Sequence, residues 1–428
     1  MDVVRMAAGY NTARRRTMRQ WVLGISTGLL IVQVQGMVWG QSFQNAIAPL
    51  LAKRCLECHT STDPAGGLDL TTAAGLHKGG DSGAAISQEQ PLQSLLLQRV
   101  MADEMPPAKN GKPRPLSSQE KESLQQWSQK GYPWPDGMVL DPYDRTTDVR
   151  GGRDWWAFQK IVRPTIPSED SSLHPIDALL RKTLESKGLS PAPPATPQQL
   201  LRRLSYDLIG LPPTADEVDA FVESFSEKRY EQEVDRLLAS PQFGERWGRY
   251  WLDVVRYAET NGYERDALKP HAWKYRDWVI RALNDDMPYD RFLLEQLAGD
   301  EIEPRTESTV VATGFLRLGT WDDEPNDLFE YQYDRLEDLV HATSTAFLGL
   351  TVRCARCHDH KFDPIPQRDY YKLAAAWAGP VAHRKREWNG GPTSEELGYE
   401  VLGWTDLSSQ PPPLHLLKKG IPIILVTP

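Results

Sequence analysis

"TPQQLLRRLSYDLIGLPPTADEVDAFVESF", residues 196–225, decides the fold class. Thr196 followed by Pro197 is a helix start: the hydroxyl accepts from a free first-turn N–H, and the proline sits where no N–H is needed. Leu200, Leu201, Leu204 and Leu208 then recur at the period of one helical face. Thr214 and Glu217 make a capping box ahead of Val218, Phe221, Val222 and Phe225, so a second helix follows at once.

Working outward, the same signals repeat. Towards the C-terminus, Trp247, Trp251 and Val254 share a helical period, as do Trp278, Ile280 and Leu283, and Phe292 to Leu297 run until Gly299. Towards the N-terminus, "SSQEKESLQQWSQKGYP" has Ser117 and Glu120 as a capping box. Leu124 and Trp127 lie on one face there, and Gly131 with Pro133 forms the stop. Before it, Phe43, Ile47, Leu50 and Leu51 line another helical face. No segment alternates as a strand would, so the class is mainly α. A small helical domain is expected over 41–136 and a larger all-α domain over 173–380. Between them, 137–172 turns to Pro, Gly, Asp and Arg and reads as a linker, with "DWWAF" (154–158) expected to dock. Residues 381–428 read as an irregular tail, the remnant of something longer.

A chain of 428 residues needs two or three domains. The net charge of -9 argues against a nucleic-acid partner, which would call for a basic face. Residues 1–40 combine a basic start ("RRRTMRQ", 14–20), an apolar run ("WVLGISTGLLIV", 21–32) and small residues up to Gly40. This pattern predicts a secretory signal peptide cleaved after Gly40, hence a periplasmic or secreted protein. The apolar run is short of the roughly 20 residues a membrane span needs, so membrane attachment follows only if the segment is retained.

All four cysteines fall in two copies of Cys-x-x-Cys-His, "RCLECHTS" (54–61) and "RCARCHDHKFDPI" (353–365). Two thiols at that spacing reach neighbouring vinyl groups of one porphyrin, and the adjacent imidazole can turn onto the iron. A disulfide suits an exported chain but leaves each histidine unexplained, and a zinc site needs four ligands. The expectation is therefore two covalent haems c, held by Cys55, Cys58 and His59 and by Cys354, Cys357 and His358. That makes the first domain cytochrome c-like. Met105, on the proline-stiffened "EMPPAK", is the expected sixth ligand of the first haem, ahead of Met101 and His77. For the second, His360 is too near His358 to reach the opposite face. Met287 in "DDMPYD" is the first choice there, against His341, His271 or an open position. "WDDEPND" (321–327) offers oxygen ligands but matches no calcium-loop spacing, and reads as a solvated acidic loop.

Cys55 to His59 with the later "MPP" (105–107) resembles the cytochrome c-type domain of large secreted planctomycete proteins. "RRLSYDLIGLPPTADEV", "RWGRYWLDVVRYAETNGYERD", "AWKYRDWVIRALNDDMPYDRFLLEQLAGD" and "FLGLTVRCARCHDHKFDPIPQRDYY" resemble the uncharacterised cytochrome-like domain that follows it in those proteins. The resemblance spans about 43–379 and implies haem binding, electron transfer and secretion, with an unidentified redox partner. Such proteins usually continue into a further C-terminal domain, which agrees with reading 381–428 as a truncated remnant. Two functions are consistent with this: an exported dihaem electron carrier, or a haem-dependent oxidoreductase on an extracellular substrate. Carbohydrate is one such substrate, with Trp247, Trp251, Trp273 and Trp278 as candidate stacking surfaces.

Overall fold

The computed structural model describes residues 43–62, 64–109, 111–148, 150–167, 173–378, 392–405, 417–418 and 421–422. The expected signal peptide lies outside the described residues. The chain divides into two compact units, Met1–Gln159 and Lys160–Pro428. Both are helical, as the capping boxes and apolar periods require. Among the described residues the only strands are the short pair Leu417–Lys418 and Ile421–Pro422. None of the described helices is long and apolar enough to cross a membrane.

In the first unit a π-turn (Phe43–Ile47) leads into α1 (Ala48–Arg54), followed by α2 (Ala73–Lys78), α3 (Leu95–Met101) and α4 (Ser118–Gln129). Phe43, Ile47, Leu50 and Leu51 are all buried, as their shared face demands. They meet Leu97, Leu124 and Trp127 in one core. Trp127 stands edge-on to Tyr132, with ring centres 5.0 Å apart. The Ser117–Glu120 capping box is formed. The stretch after Asp136 does not behave as a free linker. Leu140 enters the core, its N–H donating to the Thr71 carbonyl at 2.8 Å, and Arg150 lies over the buried Tyr143 ring at 4.3 Å. The apolar side chains decide this, whatever the Pro and Gly content around them. In "DWWAF" Asp154 is tied in, accepting from the Thr146 N–H and hydroxyl at 2.6 Å each, while Trp155, Trp156 and Phe158 are exposed.

The second unit runs through α5 (Pro175–Ser186), α6 (Pro197–Leu208), α7 (Ala215–Glu223), α8 (Glu227–Leu238), α9 (Pro241–Val254) and α10 (Ala272–Asn284). It continues with α11 (Tyr289–Ala298), α12 (Glu307–Ala312), α13 (Leu328–Thr343), α14 (Gln367–Ala376) and α15 (Ser394–Leu397). The capping boxes at Thr196 and Thr214 are both formed. Helices α9 and α10 approach closely because α9 carries two glycines on the contact. A Cβ on Gly244 would sit 2.4 Å from the Ile280 carbonyl oxygen, well inside contact distance. Behind them Trp278 stacks on Phe292, with ring centres 5.2 Å apart. The fully buried Gln296 accepts from Trp251 Nε1 (3.0 Å) and the Tyr275 hydroxyl (2.6 Å), and donates to the Phe292 carbonyl.

Two features of this core go beyond helix packing. Three consecutive carbonyls, of Leu318, Gly319 and Thr320, accept from Arg256, Lys269 and Arg335 respectively, and Asp338 accepts from both arginines. The loop before "WDDEPND" is thus tied down by side-chain cations. The other concerns the expected tail: residues 392–405 fold back and put Leu397, Val401, Leu402 and Trp404 into the core. The Trp404 N–H donates to Thr313 Oγ1 at 2.7 Å, and Lys274 Nζ to the Glu400 carbonyl at 2.8 Å. Four buried apolar side chains outweigh the irregular backbone, so this part of the tail completes the second unit's core.

Candidate haem centres

Helix α1 ends where the first motif begins. Cys55 N–H still donates to the Leu51 carbonyl (2.9 Å), and both Cys58 N–H (3.2 Å) and His59 N–H (3.1 Å) fold back onto the Cys55 carbonyl. This tight turn puts both thiols and the imidazole on one wall of a cavity of about 400 Å³. Leu68, Leu70, Leu96, Val100 and Leu116 make the wall apolar, and Met105 lines it as well. Met105 is held just past α3 by its N–H, which donates to the Arg99 carbonyl at 3.2 Å. Met101 instead packs on the core and His77 is exposed, so of the three candidates only Met105 lines the cavity.

His59 Nδ1 lies 3.2 Å from the Leu68 carbonyl oxygen. A carbonyl only accepts, so this bond places the proton on Nδ1 and leaves the Nε2 lone pair for a metal. Burial pushes the Cys55 thiol up to about 12, only partly offset by the Arg54 charge beside it. Such a thiol packs among apolar atoms as an uncharged group. Glu57, between the two cysteines, takes Lys109 Nζ on Oε1 and Arg114 on Oε2 at 2.9 Å. Burial raises its carboxyl, but hydrogen bonds from Lys109 and Arg114 outweigh that and hold it below the usual range. An apolar cavity with two thiols and an imidazole of fixed tautomer, lined also by a thioether, has the donor set a haem c requires.

The second motif is built differently. Its cysteines lie on a 3₁₀ turn (Val352–Arg356) and its extension, packed on α13 and α14. Arg356 pairs with Asp334 (3.0 Å) and Glu337, and Arg353 pairs with Glu337 too, fastening the turn to α13. From α14, Gln367 Nε2 (2.8 Å) and the Tyr371 hydroxyl (3.0 Å) donate to the Arg356 carbonyl. Val352 and Ala355 point into the core, which leaves Cys354, Cys357 and His358 exposed. His358 Nδ1 lies 2.7 Å from the Asp359 carbonyl, again freeing Nε2.

His360 is buried and fully engaged. Its Nδ1 accepts from Phe362 N–H (3.2 Å) and Asp363 N–H (2.8 Å), so Nε2 carries the proton and donates to Thr351 Oγ1 at 3.1 Å. The Asp363 carboxylate, 3.3 Å from Nδ1, therefore faces a lone pair rather than a charge. His360 holds the loop in shape and has no nitrogen left for iron.

Met287 packs on the same core that holds Val352 and Ala355 of the motif turn. It lies in the bend between α10 and α11, its N–H on the Ala282 carbonyl. His341 Nδ1 pairs with Thr345 Oγ1 (3.3 Å), and His271 opens α10 with a left-handed backbone. In the acidic loop, Arg265 pairs with Asp323 and Glu324, and among the described residues no three His, Cys, Asp or Glu gather as a metal site. Of the four tryptophans named above, Trp247 and Trp273 are exposed, while Trp251 is half-buried and Trp278 buried.

The comparisons with known proteins agree with this division. Residues 55–109 match the family Planctomycete cytochrome C, and residues 175–380 match PSCyt2, a protein of unknown function (DUF1549). The chain carries these two domains in that order. The cytochrome C domain implies covalently bound haem c, with Cys55, Cys58 and His59 opening the matched segment and Met105 near its end. No curated protein and no solved structure matches the chain. The sequence reading passed over Glu57, Lys109 and Arg114, although a carboxylate between the two cysteines of the motif was a visible signal.

Proposed function

We propose that the protein is an exported dihaem c-type cytochrome that passes electrons by outer-sphere transfer. One observation carries the reading: Cys55, Cys58, His59 and Met105 line a single apolar cavity. The thiols would bind haem through thioethers, with His59 Nε2 and the Met105 sulfur as axial ligands. A haem bound there supplies reversible one-electron chemistry. The chain's own contribution is to fix the His59 ring through the Leu68 carbonyl and to exclude water with leucine and valine walls. A thioether ligand and low polarity both favour the reduced state. Cys354, Cys357 and His358 would attach the second haem, and the charge pattern of residues 1–40 supports export. The test is expression with a cytochrome c assembly system, followed by mass spectrometry. Two added haems and an N-terminus at Gln41 are expected; a haem-free, zinc-loaded product would overturn the proposal.

The exposure of the second motif favours a second reading. A haem held at the surface by His358, with no methionine on the turn's two supporting helices and with His341 of α13 turned to Thr345, would leave a coordination position for a small molecule. The protein would then be a haem-dependent oxidoreductase on an extracellular substrate, carbohydrate being one class, with the first domain relaying electrons. Carbon monoxide added to the reduced Cys55→Ala/Cys58→Ala protein separates the two. A shifted Soret band supports an open site, and an unmoved one leaves a pure electron carrier.

A further inference from the structure

The loop from Met105 to Lys109 is tied mainly at its ends. Pro106 and Pro107 have no N–H to donate. Met105 N–H reaches the Arg99 carbonyl at one end, and Lys109 exchanges hydrogen bonds of 3.0 and 2.9 Å with Lys112 at the other. Glu57, in the turn that carries both cysteines, lines the same cavity as this loop. Its carboxylate takes the Lys109 ammonium on one oxygen and the Arg114 guanidinium on the other. Arg114 and Glu57 are largely buried, with side chains 12% and 17% exposed, so this pairing is better protected from water than an ordinary surface ion pair. Asp148, 3.6 Å from both Arg54 and Arg114, and Glu120, 3.3 Å from Arg54, extend the network around the cavity.

We propose that Glu57 is a positioning residue: by gripping Lys109 and Arg114 it ties the Met105 loop to the Cys55–His59 turn and so holds the thioether over the haem. The inference rests on the reading of Met105 as axial ligand. Without the clamp the loop would still be anchored at Arg99, but its far end would swing and the sulfur would yield its place more readily to a competitor.

The test uses the haem-loaded full chain and compares wild type with Glu57→Gln, Glu57→Asp, Lys109→Gln and the double variant Glu57→Gln/Lys109→Gln. Ferric Glu57→Gln should bind added imidazole roughly tenfold more tightly, the equivalent of losing about one charge-assisted hydrogen bond. Its far-red iron–thioether band should weaken in step. Glu57→Asp, which keeps the charge, should recover part of the difference. The double variant should be no worse than the more affected single one, because both remove the same tie. Lys109→Gln, at an exposed side chain, guards against misfolding of the motif variants. A readout independent of ligation is hydrogen exchange at the Met105, Lys109 and Lys112 amides, expected to speed up severalfold in Glu57→Gln. Unchanged exchange and unchanged imidazole affinity would overturn the proposal. A wild type lacking the far-red band, with loop exchange still governed by Glu57, would overturn the ligand assignment and leave the clamp standing.

Discussion

Replacing His360 by alanine should cost the second unit about 3 kcal/mol, and the structure shows where each part arises. The imidazole is 6% exposed and serves three partners: two backbone N–H groups on Nδ1 and Thr351 on Nε2. Removing it strands two donors, each worth about 1 kcal/mol at the low end of the range because the neighbouring Phe362 is exposed to water. The lost Thr351 bond and ring packing add about 1 kcal/mol more. His360→Asn places a carbonyl oxygen near the position of Nδ1 and should keep the backbone pair, at a cost of about 1 kcal/mol. Urea unfolding followed by tryptophan fluorescence reads both, with a melting shift of about 6–12 °C expected for alanine. Since neither ring nitrogen is free, the visible spectrum of the haem-loaded protein should not change in either variant. Equal destabilisation by alanine and asparagine, or a changed spectrum, would refute the assignment of His360 as a structural pin.

Three further outcomes are expected. Met105→Ala should abolish the far-red ferric band of the first haem; survival of the band means that another residue is the ligand. Trp404→Ala should destabilise the second unit by about 3–5 kcal/mol, as for other large buried aromatics, and a cost under about 1 kcal/mol would show that 392–405 only rests on the core. Burial, then the charges of Arg335, Arg256 and Arg317, brings Lys269 from 10.5 down to about 8. Between those two values the unfolded chain holds the proton that the folded one has lost, so stability from this group rises with pH by up to roughly 3 kcal/mol. Lys269→Met should flatten that rise in a pH series of unfolding free energies; parallel profiles for the two proteins would be evidence against it.

The helices were legible because their signals are local: a hydroxyl, a partner three residues on and an apolar period specify α4, α6 and α7 without reference to the rest of the chain. The first motif was legible for the same reason, and the place of Met105 on the cavity wall because a loop held by two prolines has few conformations. What escaped was whatever depends on distant partners. Met287 sits in a proline loop much like that of Met105, yet whether such a loop reaches a haem depends on tertiary packing that no local pattern encodes. Gln296 is a polar residue inside the run from Phe292 to Leu297, and its burial is explained only by Trp251 and Tyr275 from other helices. Residues 392–405 looked irregular because four side chains, spread over a segment with little helix, leave no period to recognise.

The bond between Trp404 and Thr313 spans 91 residues. A chain made from its N-terminus presents Cys357 well before Trp404, which follows it by 47 residues. At about 5–20 residues per second that interval lasts roughly 2–9 s. Throughout it, α12 and the turn after it lack the segment that covers them, and the peptide holding Cys354 and Cys357 belongs to an unfinished domain. Until residue 404 arrives the second unit's core is incomplete, so the length of chain between α12 and Trp404 sets how long that core must wait to close.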